Sequence, residues 1–139
     1  MKQLVRVGTT YIPVSDVQKA STWYREMLNA KLNYKDEDKA ILDLANQSIF
    51  LVCSADGESS NFLDKYHTKR FSLTFEVDGS SELKELREQM LHLGVEAGEI
   101  EDRGHGGLNF VFSDPDGNLF DVWSELSPKF KQSLLTSEL

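Results

Sequence analysis

The chain has one cysteine and no long apolar run, and each of these shortages excludes a class of protein. The single cysteine, Cys53, excludes an intrachain disulfide and is typical of a reducing compartment, so we expect a cytoplasmic protein. No apolar stretch approaches the roughly twenty residues of a membrane span, and the N-terminus lacks the layout of a signal peptide. We also expect the Cys53 thiol, at the end of an apolar run, to be buried and inert.

Positive charge is also scarce, because 15 Lys and Arg face 23 Asp and Glu and leave a formal net charge of −8. Such a field repels phosphate, which disfavours nucleic acid and anionic membranes as partners. The remaining composition, 40% hydrophobic and 27% charged, is that of an ordinary globular chain. At 139 residues the chain fits a single domain with a sizeable core.

The predicted elements repeat along the chain. A strand from Val5 to Val14, a helix and three short strands are followed by a second strand, helix and three strands. Two copies of a unit of this kind predict an α+β fold built from two modules. The predicted boundaries are residues 5–53 for module 1, 54–69 for a linker, 70–124 for module 2 and 125–139 for a C-terminal tail.

Cap-type residues predict where the helices begin and end. Ser15, followed by Gln18, is a capping signal for the first helix, and Asn29 stands where a left-handed C-terminal cap is expected. Gly79 opens the second helix and Gly94 ends it.

A dense turn sequence, Asp114-Pro115-Asp116-Gly117-Asn118, lies between two apolar segments and predicts a hairpin. Alternation along the second strand places Asp121 and Trp123 on one face and Phe120 and Val122 on the other. A carboxylate in the middle of such a strand indicates either a solvent-facing surface or the lining of a site.

Together these motifs resemble the vicinal oxygen chelate superfamily, which includes glyoxalase I, bleomycin-resistance proteins, thiol transferases acting on fosfomycin and extradiol dioxygenases. The resemblance runs from about Val5 to Ser124, and it is carried by Val14-Ser15-Asp16, Trp23-Tyr24, Phe75-Glu76-Val77-Asp78 and the run from Phe112 to Asn118. It implies two βαβββ modules that form a curled, funnel-like mixed sheet with the helices outside. It also implies a small-molecule ligand and a homodimer, but no particular reaction.

Metal-dependent members of this superfamily carry His, Gln or Glu on the first and last strands of each module. The resemblance places the corresponding positions at Thr9, Phe50, Ser72 and Asp121. Only Asp121 is a good ligand, so we expect no metal and no other cofactor. The three histidines, His67, His92 and His105, supply no replacement set, although His105 in a glycine-rich turn is the best catalytic candidate among them.

The face that would line the funnel mixes aromatic rings, hydroxyls and two carboxylates, as a small-molecule cavity does. Its predicted ligand-binding residues are Thr9, Tyr11, Phe50, Ser72, Thr74, Glu76, Asn109, Asp121 and Trp123. The opposite faces are apolar and predict a core of Ile12, Val14, Ile49, Leu51, Leu73, Phe75, Val77, Phe110, Phe112, Phe120 and Val122. In the linker, Phe62 and Tyr66 either pin the segment to the body or act as a lid.

Three functions remain open at this level. The favoured hypothesis is a metal-independent relative of the bleomycin-resistance proteins that sequesters a hydrophobic or cationic compound. The alternative is a metal-dependent lyase, dioxygenase or transferase of the glyoxalase type, and a third is a structural or regulatory subunit that acts by dimerisation. Asp121 either accepts hydrogen bonds from a ligand or acts as a general base, with Tyr11 or His105 as the acid.

Overall fold

The computed structural model describes residues 1–137 and divides into two compact units. Unit 1 consists of residues 1–60 and 115–118, and unit 2 of residues 61–114 and the described chain from residue 119 onward. Within residues 1–137, the helices are all too short or too polar to cross a bilayer.

Unit 1 contains one helix on a four-stranded sheet. Its elements are β1 (Thr9–Val14), α1 (Val17–Leu28), β2 (Lys31–Lys35), β3 (Lys39–Leu44) and β4 (Gln47–Cys53). The strand order is β1-β4-β3-β2, with β1 parallel to β4 and the other neighbours antiparallel. The apolar stripe of α1 packs on the sheet, and the buried core is formed by Ile12, Val14, Val17, Ala20, Tyr24, Ala40, Leu42, Ile49 and Leu51.

Unit 2 repeats this arrangement. Its elements are β5 (Phe62–Leu63), β6 (Lys69–Arg70), β7 (Thr74–Glu76), α2 (Ser80–His92), β8 (Glu96–Ala97), β9 (Asn109–Ser113), β10 (Leu119–Trp123) and α3 (Pro128–Ser137). The four-stranded sheet has the order β7-β10-β9-β8, with β10 parallel to β7 and antiparallel to β9. Its buried side chains include Leu83, Met90, Phe110, Phe112, Phe120 and Val122. The same order in both sheets confirms the predicted α+β fold with mixed sheets.

The helix ends follow the predicted signals with one shift. Asn29 adopts the left-handed conformation (φ 58°) after α1, and Gly94 has φ +86° after α2, as predicted. The prediction that Ser15 is the N-cap of α1 is wrong. The cap is Asp16, whose carboxylate accepts a hydrogen bond from the backbone N–H of Lys19 at 3.0 Å. Both residue types cap helices, and the sequence pattern does not distinguish neighbouring positions.

The first strand is shorter than predicted, because β1 begins at Thr9 rather than at Val5. Thr9 pairs with Ser48 near the start of β4. The residues that precede β4 form a turn, in which Ala45 and Asn46 both have positive φ. Val5 is consequently 90% exposed. Alternation predicted a strand from Val5, but the parallel partner strand, β4, begins only at Gln47.

The expectation that Cys53 is buried is also wrong. Cys53 is the last residue of β4 and is exposed, with its Sγ 3.7 Å from the carbonyl oxygen of Ser15. An apolar run predicts burial for the middle of a strand but not for its last residue.

The predicted linker folds into a two-stranded hairpin, β5–β6. Asp64 shapes its turn by accepting hydrogen bonds from the backbone N–H groups of Tyr66 and Thr68 at 2.9 and 3.0 Å. Phe62 is 54% exposed and Tyr66 74% exposed, so neither ring is buried as a tether would be. The lid alternative stays a prediction.

The turn between β2 and β3 supplies a test of local electrostatics. The Tyr34 hydroxyl donates to Asp36 at 2.8 Å and, with the N–H groups of Asp38 and Lys39, holds the pKa of Asp36 below its ordinary value. We expect Tyr34→Phe to raise the pKa of Asp36, measured from the carboxyl chemical shift during an NMR titration. Because the pKa of Asp36 is lowered in the folded state, its contribution to stability is present at neutral pH and is lost as the pH falls through the folded pKa.

The matched control for this measurement is Tyr66→Phe, which removes a tyrosine hydroxyl from another hairpin, at a residue that is 74% exposed against 48% for Tyr34, and leaves the Asp36 turn intact. A pKa of Asp36 that is the same in Tyr34→Phe and in the control would show that the phenol does not stabilise the carboxylate.

Candidate functional site

Asp121 lies at the centre of the unit 2 sheet and is 2% exposed. Its strand, β10, runs between β7 and β9, and its Cα is paired with Thr74 on one side and Val111 on the other. The Oδ2 atom accepts hydrogen bonds from the Thr74 hydroxyl and from the Asn109 side-chain amide, each at 3.0 Å. Asn109 is itself 2% exposed. The structure therefore brings three of the predicted site residues together.

The charge of Asp121 is balanced by Arg103, a residue that the sequence did not single out. The Nη2 atom of Arg103 lies 3.1 Å from Oδ1 of Asp121, and the arginine side chain is 27% exposed. The same guanidinium donates to Oε2 of Glu101 through Nε at 2.8 Å and Nη2 at 2.6 Å. Its central carbon, Cζ, lies over the Phe71 ring, 5.6 Å from the centroid.

These contacts change the acidity of the guanidinium. Partial burial lowers the pKa of Arg103, but the hydrogen bond to Glu101 and the negative charge of Asp121 outweigh it, so the pKa is raised overall. Arg103 is therefore a permanent cation beside Asp121. In the sequence, Arg103 is an ordinary polar residue before a glycine-rich turn, and only the need to compensate a buried carboxylate could have pointed to it.

Two buried acceptor atoms at this site have no hydrogen-bond donor within the part of the chain that the structure describes: Oδ1 of Asn109 and Oδ1 of Asp121. The Arg103 contact to the latter has the distance of an ion pair without the alignment of a hydrogen bond. The amide of Asn109 cannot be reversed, because its nitrogen is needed to donate to the carboxylate. Leaving such atoms unsatisfied is costly, and a group that carries N–H or O–H donors would satisfy both.

Trp123 is bound to the glycine-rich loop, residues 102–107. Its indole N–H donates to the carbonyl oxygen of Gly106 at 2.9 Å, and the His105 ring lies edge-on to it with centroids 5.8 Å apart. A Cβ on Gly107 would lie 2.8 Å from the indole nitrogen and 2.7 Å from Oγ of Ser124, so glycine is required there. The loop is thus fitted closely to one edge of Trp123. His105 is exposed, and its Nδ1 lies 3.0 Å from the Gly106 carbonyl oxygen.

Glu76 is engaged with the C-terminal segment. The Glu76 carboxylate accepts from the backbone N–H of Ser127 at 2.8 Å and also from the Ser127 hydroxyl, at the start of α3. It therefore anchors the C-terminal helix. Ser72 is exposed just before β7.

The other predicted site residues lie in unit 1. The rings of Tyr11 and Phe50 are 4.9 Å apart on the paired strands β1 and β4, and Tyr11 is 62% exposed. Thr9 is exposed at the start of β1. Roles for these three residues in ligand binding stay predictions.

The donor atoms around Asp121 do not fit a divalent metal ion. Such an ion needs several anionic or imidazole ligands, whereas the Asp121 carboxylate is surrounded by a hydroxyl, an amide and the cation of Arg103. Across residues 1–137, three or more His, Cys, Asp or Glu side chains do not come together at any point. The expectation that no metal is bound stays a prediction.

The repeated βαβββ units, with a buried carboxylate on the last strand of the second, define a protein of the vicinal oxygen chelate class. Residues 4–122 match the model of the Glyoxalase/Bleomycin resistance protein/Dioxygenase superfamily, and the chain belongs to this superfamily. The predicted resemblance is therefore confirmed. No curated protein sequence matches the chain significantly.

Several solved structures share the fold. Lactoylglutathione lyase from Agrobacterium tumefaciens is 17% identical, with a TM-score of 0.70 over 88% of this chain and 96% of that one. The fosfomycin resistance protein FosX from Listeria monocytogenes, complexed with Mn(II) and sulfate, is 20% identical, with a TM-score of 0.66 over 96% and 99%. TnmS3, an antibiotic-binding protein from Streptomyces sp. CB03234, is 20% identical, with a TM-score of 0.71 over 91% and 100%. At these identities the likeness is one of fold.

Proposed function

We propose that this chain is a metal-independent small-molecule-binding protein that sequesters a hydrophobic or cationic compound. The observation that carries the proposal is a pair of buried acceptors: Oδ1 of Asn109, which has no donor within residues 1–137, and Oδ1 of Asp121, which is met by Nη2 of Arg103 at 3.1 Å. Both need N–H or O–H groups, which a cationic or hydroxylated ligand supplies. Glu101 and Asp121 also outnumber Arg103 in charge, so this part of unit 2 attracts cations.

Binding is favoured over general-base catalysis by the surroundings of Asp121. Thr74 and Asn109 use one carboxylate oxygen, and Arg103 faces the other. A general base must be free to accept the proton that it removes, whereas this carboxylate already compensates the cation of Arg103, a role suited to holding a positively charged group. One protein of the same fold, TnmS3, is an antibiotic-binding protein, which supports small-molecule binding as the proposed role.

The second candidate, a metal-dependent enzyme of the glyoxalase type, is favoured by the shared fold of lactoylglutathione lyase and of FosX with Mn(II). In this chain, a metal ion would have to replace Arg103 at Asp121. The neighbouring ligand there would be the Thr74 hydroxyl, a weak donor to such an ion. Elemental analysis after dialysis against Mn²⁺, Ni²⁺, Zn²⁺ and Fe²⁺ separates the two proposals. One tightly held ion per chain would support the enzyme and overturn the metal-independent binder.

We also propose that the protein is cytoplasmic and that it forms a homodimer. The first is supported by the single cysteine and the second by the superfamily to which the chain belongs. Sedimentation velocity of the purified chain tests the homodimer directly.

We expect Trp123→Ala to weaken the binding of aromatic cations by roughly ten-fold or more, because stacking on an indole contributes about 1–2 kcal/mol to binding. Candidate compounds come from a screen by native mass spectrometry, and Kd is measured by calorimetry. Far-UV circular dichroism checks that the variant is folded, since Trp123 is only partly buried.

The matched control is Trp23→Ala, which removes the other tryptophan, from α1 in unit 1. Unchanged Kd values in the control and weaker binding in Trp123→Ala support the proposal. If no aromatic or cationic compound in the screen binds to the folded wild-type protein, the proposed function is wrong.

A further inference from the structure

The guanidinium of Arg103 indicates which kind of chemical group can contact Asp121. It is a flat cation that lies over the Phe71 ring with one nitrogen 3.1 Å from Oδ1 of Asp121. We propose that Arg103 is an internal stand-in for the ligand, and that a guanidinium or amidinium group of the bound compound takes its place at Asp121. This inference rests on the proposed function and names the ligand class for the same site.

The fit of Arg103 is incomplete, which is the first support for displacement. A guanidinium can form two parallel hydrogen bonds to a carboxylate, but here Arg103 meets Asp121 through one nitrogen, Nη2, at 3.1 Å from Oδ1, while Oδ2 accepts from Thr74 and Asn109. Arg103 is two residues from Glu101, which holds its Nε and Nη2 atoms. A free amidinium has no such tether, so it can align with Oδ1 of Asp121.

The second support is that Arg103 keeps one of its two acidic partners during the exchange. Glu101 is about half exposed, so Arg103 keeps this partner when it moves outward, and only the contact to Asp121 is exchanged. Gly104 follows Arg103 directly with φ +82°, and Asp102 accepts a hydrogen bond from the Gly104 N–H at 3.0 Å. A residue next to glycine in a turn can be reoriented without rearranging the sheet.

Charge selects a cation over an anion at this place. A ligand beside Asp121 meets the carboxylates of Asp121 and Glu101, and the displaced Arg103 accounts for only one of these charges. Arg70 also lies near the Phe71 ring, 5.5 Å from its centroid, but Asp64 lies 4.0 Å from it and offsets its charge. The neighbourhood therefore stays negative, and the Phe71 ring offers its face to a planar cation.

The test uses benzamidinium, a planar aromatic cation, and benzamide, its uncharged analogue, with the full chain. We expect Arg103→Ala to bind benzamidinium at least ten-fold more tightly than wild type, measured by calorimetry, because the internal competitor is gone. Benzamide should show no such gain. Adding Asp121→Asn to Arg103→Ala should remove the gain, since the amide carries no negative charge.

Two further variants keep this test interpretable. Arg103→Gln retains a hydrogen-bonding side chain without the charge, and it should show the same gain if Arg103→Ala fails to fold. Arg87→Ala, which removes a partly buried arginine held by the Gly98 carbonyl oxygen and Glu99, is the matched control and should bind as wild type does.

Equal Kd values for benzamidinium in wild type and Arg103→Gln would overturn the inference, as would a gain that survives Asp121→Asn. Failure of the inference and failure of the proposed function give different results. If the screened compounds bind wild type but removal of Arg103 changes nothing, the function stands and the displacement is wrong. If only the Arg103 variants bind benzamidinium, Arg103 blocks Asp121 instead of yielding to a ligand, and both the displacement and the binding proposed for wild type are wrong.

Discussion

Phe120→Ala is expected to lower the free energy of unfolding by about 3–5 kcal/mol, the usual cost of truncating a fully buried phenylalanine. Phe120 is 1% exposed, and its ring centroid lies 5.4 Å from that of Phe112 and 5.8 Å from that of Phe75. The cavity would open on β10, the strand that pairs with both β7 and β9, so the sheet has little freedom to collapse into it. Urea unfolding followed by circular dichroism measures the change.

Phe62→Ala is the matched control, because it makes the same chemical change at a ring that is 54% exposed on the β5–β6 hairpin. It should alter the free energy of unfolding by no more than about 0.5 kcal/mol. Similar losses in the two variants would mean that the aromatic cluster of unit 2 is not the core that the structure describes.

Asn118→Ala is expected to cost about 2–4 kcal/mol. This side chain is 0% exposed, its Nδ2 donates to the Pro13 carbonyl oxygen at 2.8 Å, and its Oδ1 accepts from the Ser60 N–H at 2.8 Å. Each buried group left without its partner costs about 1–3 kcal/mol, and the two backbone groups here are only partly buried. Urea unfolding gives the magnitude.

Asn33→Ala on the exposed surface of β2 is the control for the loss of an amide. It should be nearly neutral. If Asn118→Ala is also nearly neutral, the turn at residues 115–118 is not held by this side chain.

The fold was predictable because local and long-range signals agree in this chain. Apolar alternation in β1, β4 and β10 matches the faces that are buried, as for Ile12, Ile49 and Val122. Cap and turn residues such as Asn29 and Gly94 adopt the conformations that their chemistry favours. The wrong predictions concern the ends of strands: Cys53, the last residue of β4, is exposed, and Val5 lies before the start of β1. Ends depend on where another segment stops, which local pattern does not contain.

The candidate site was predictable only in part. Alternation singled out Asp121, Asn109 and Thr74, and the structure joins them by hydrogen bonds. It could not assign Glu76 to the anchoring of α3, because period-two patterns give the face but not the partner. Arg103 was missed entirely. It lies in a turn without periodicity, and its side chain reaches Asp121, 18 positions away.

The accessible thiol of Cys53 has a practical consequence for any study of self-association. Two chains can couple through this sulfur when oxygen is present, since a solvent-accessible cysteine forms mixed or symmetric disulfides. A covalently linked species of that origin would mimic a native pair in size. The same thiol, being the sole one in the chain, accepts a single maleimide dye in unit 1 and so reports on that unit alone.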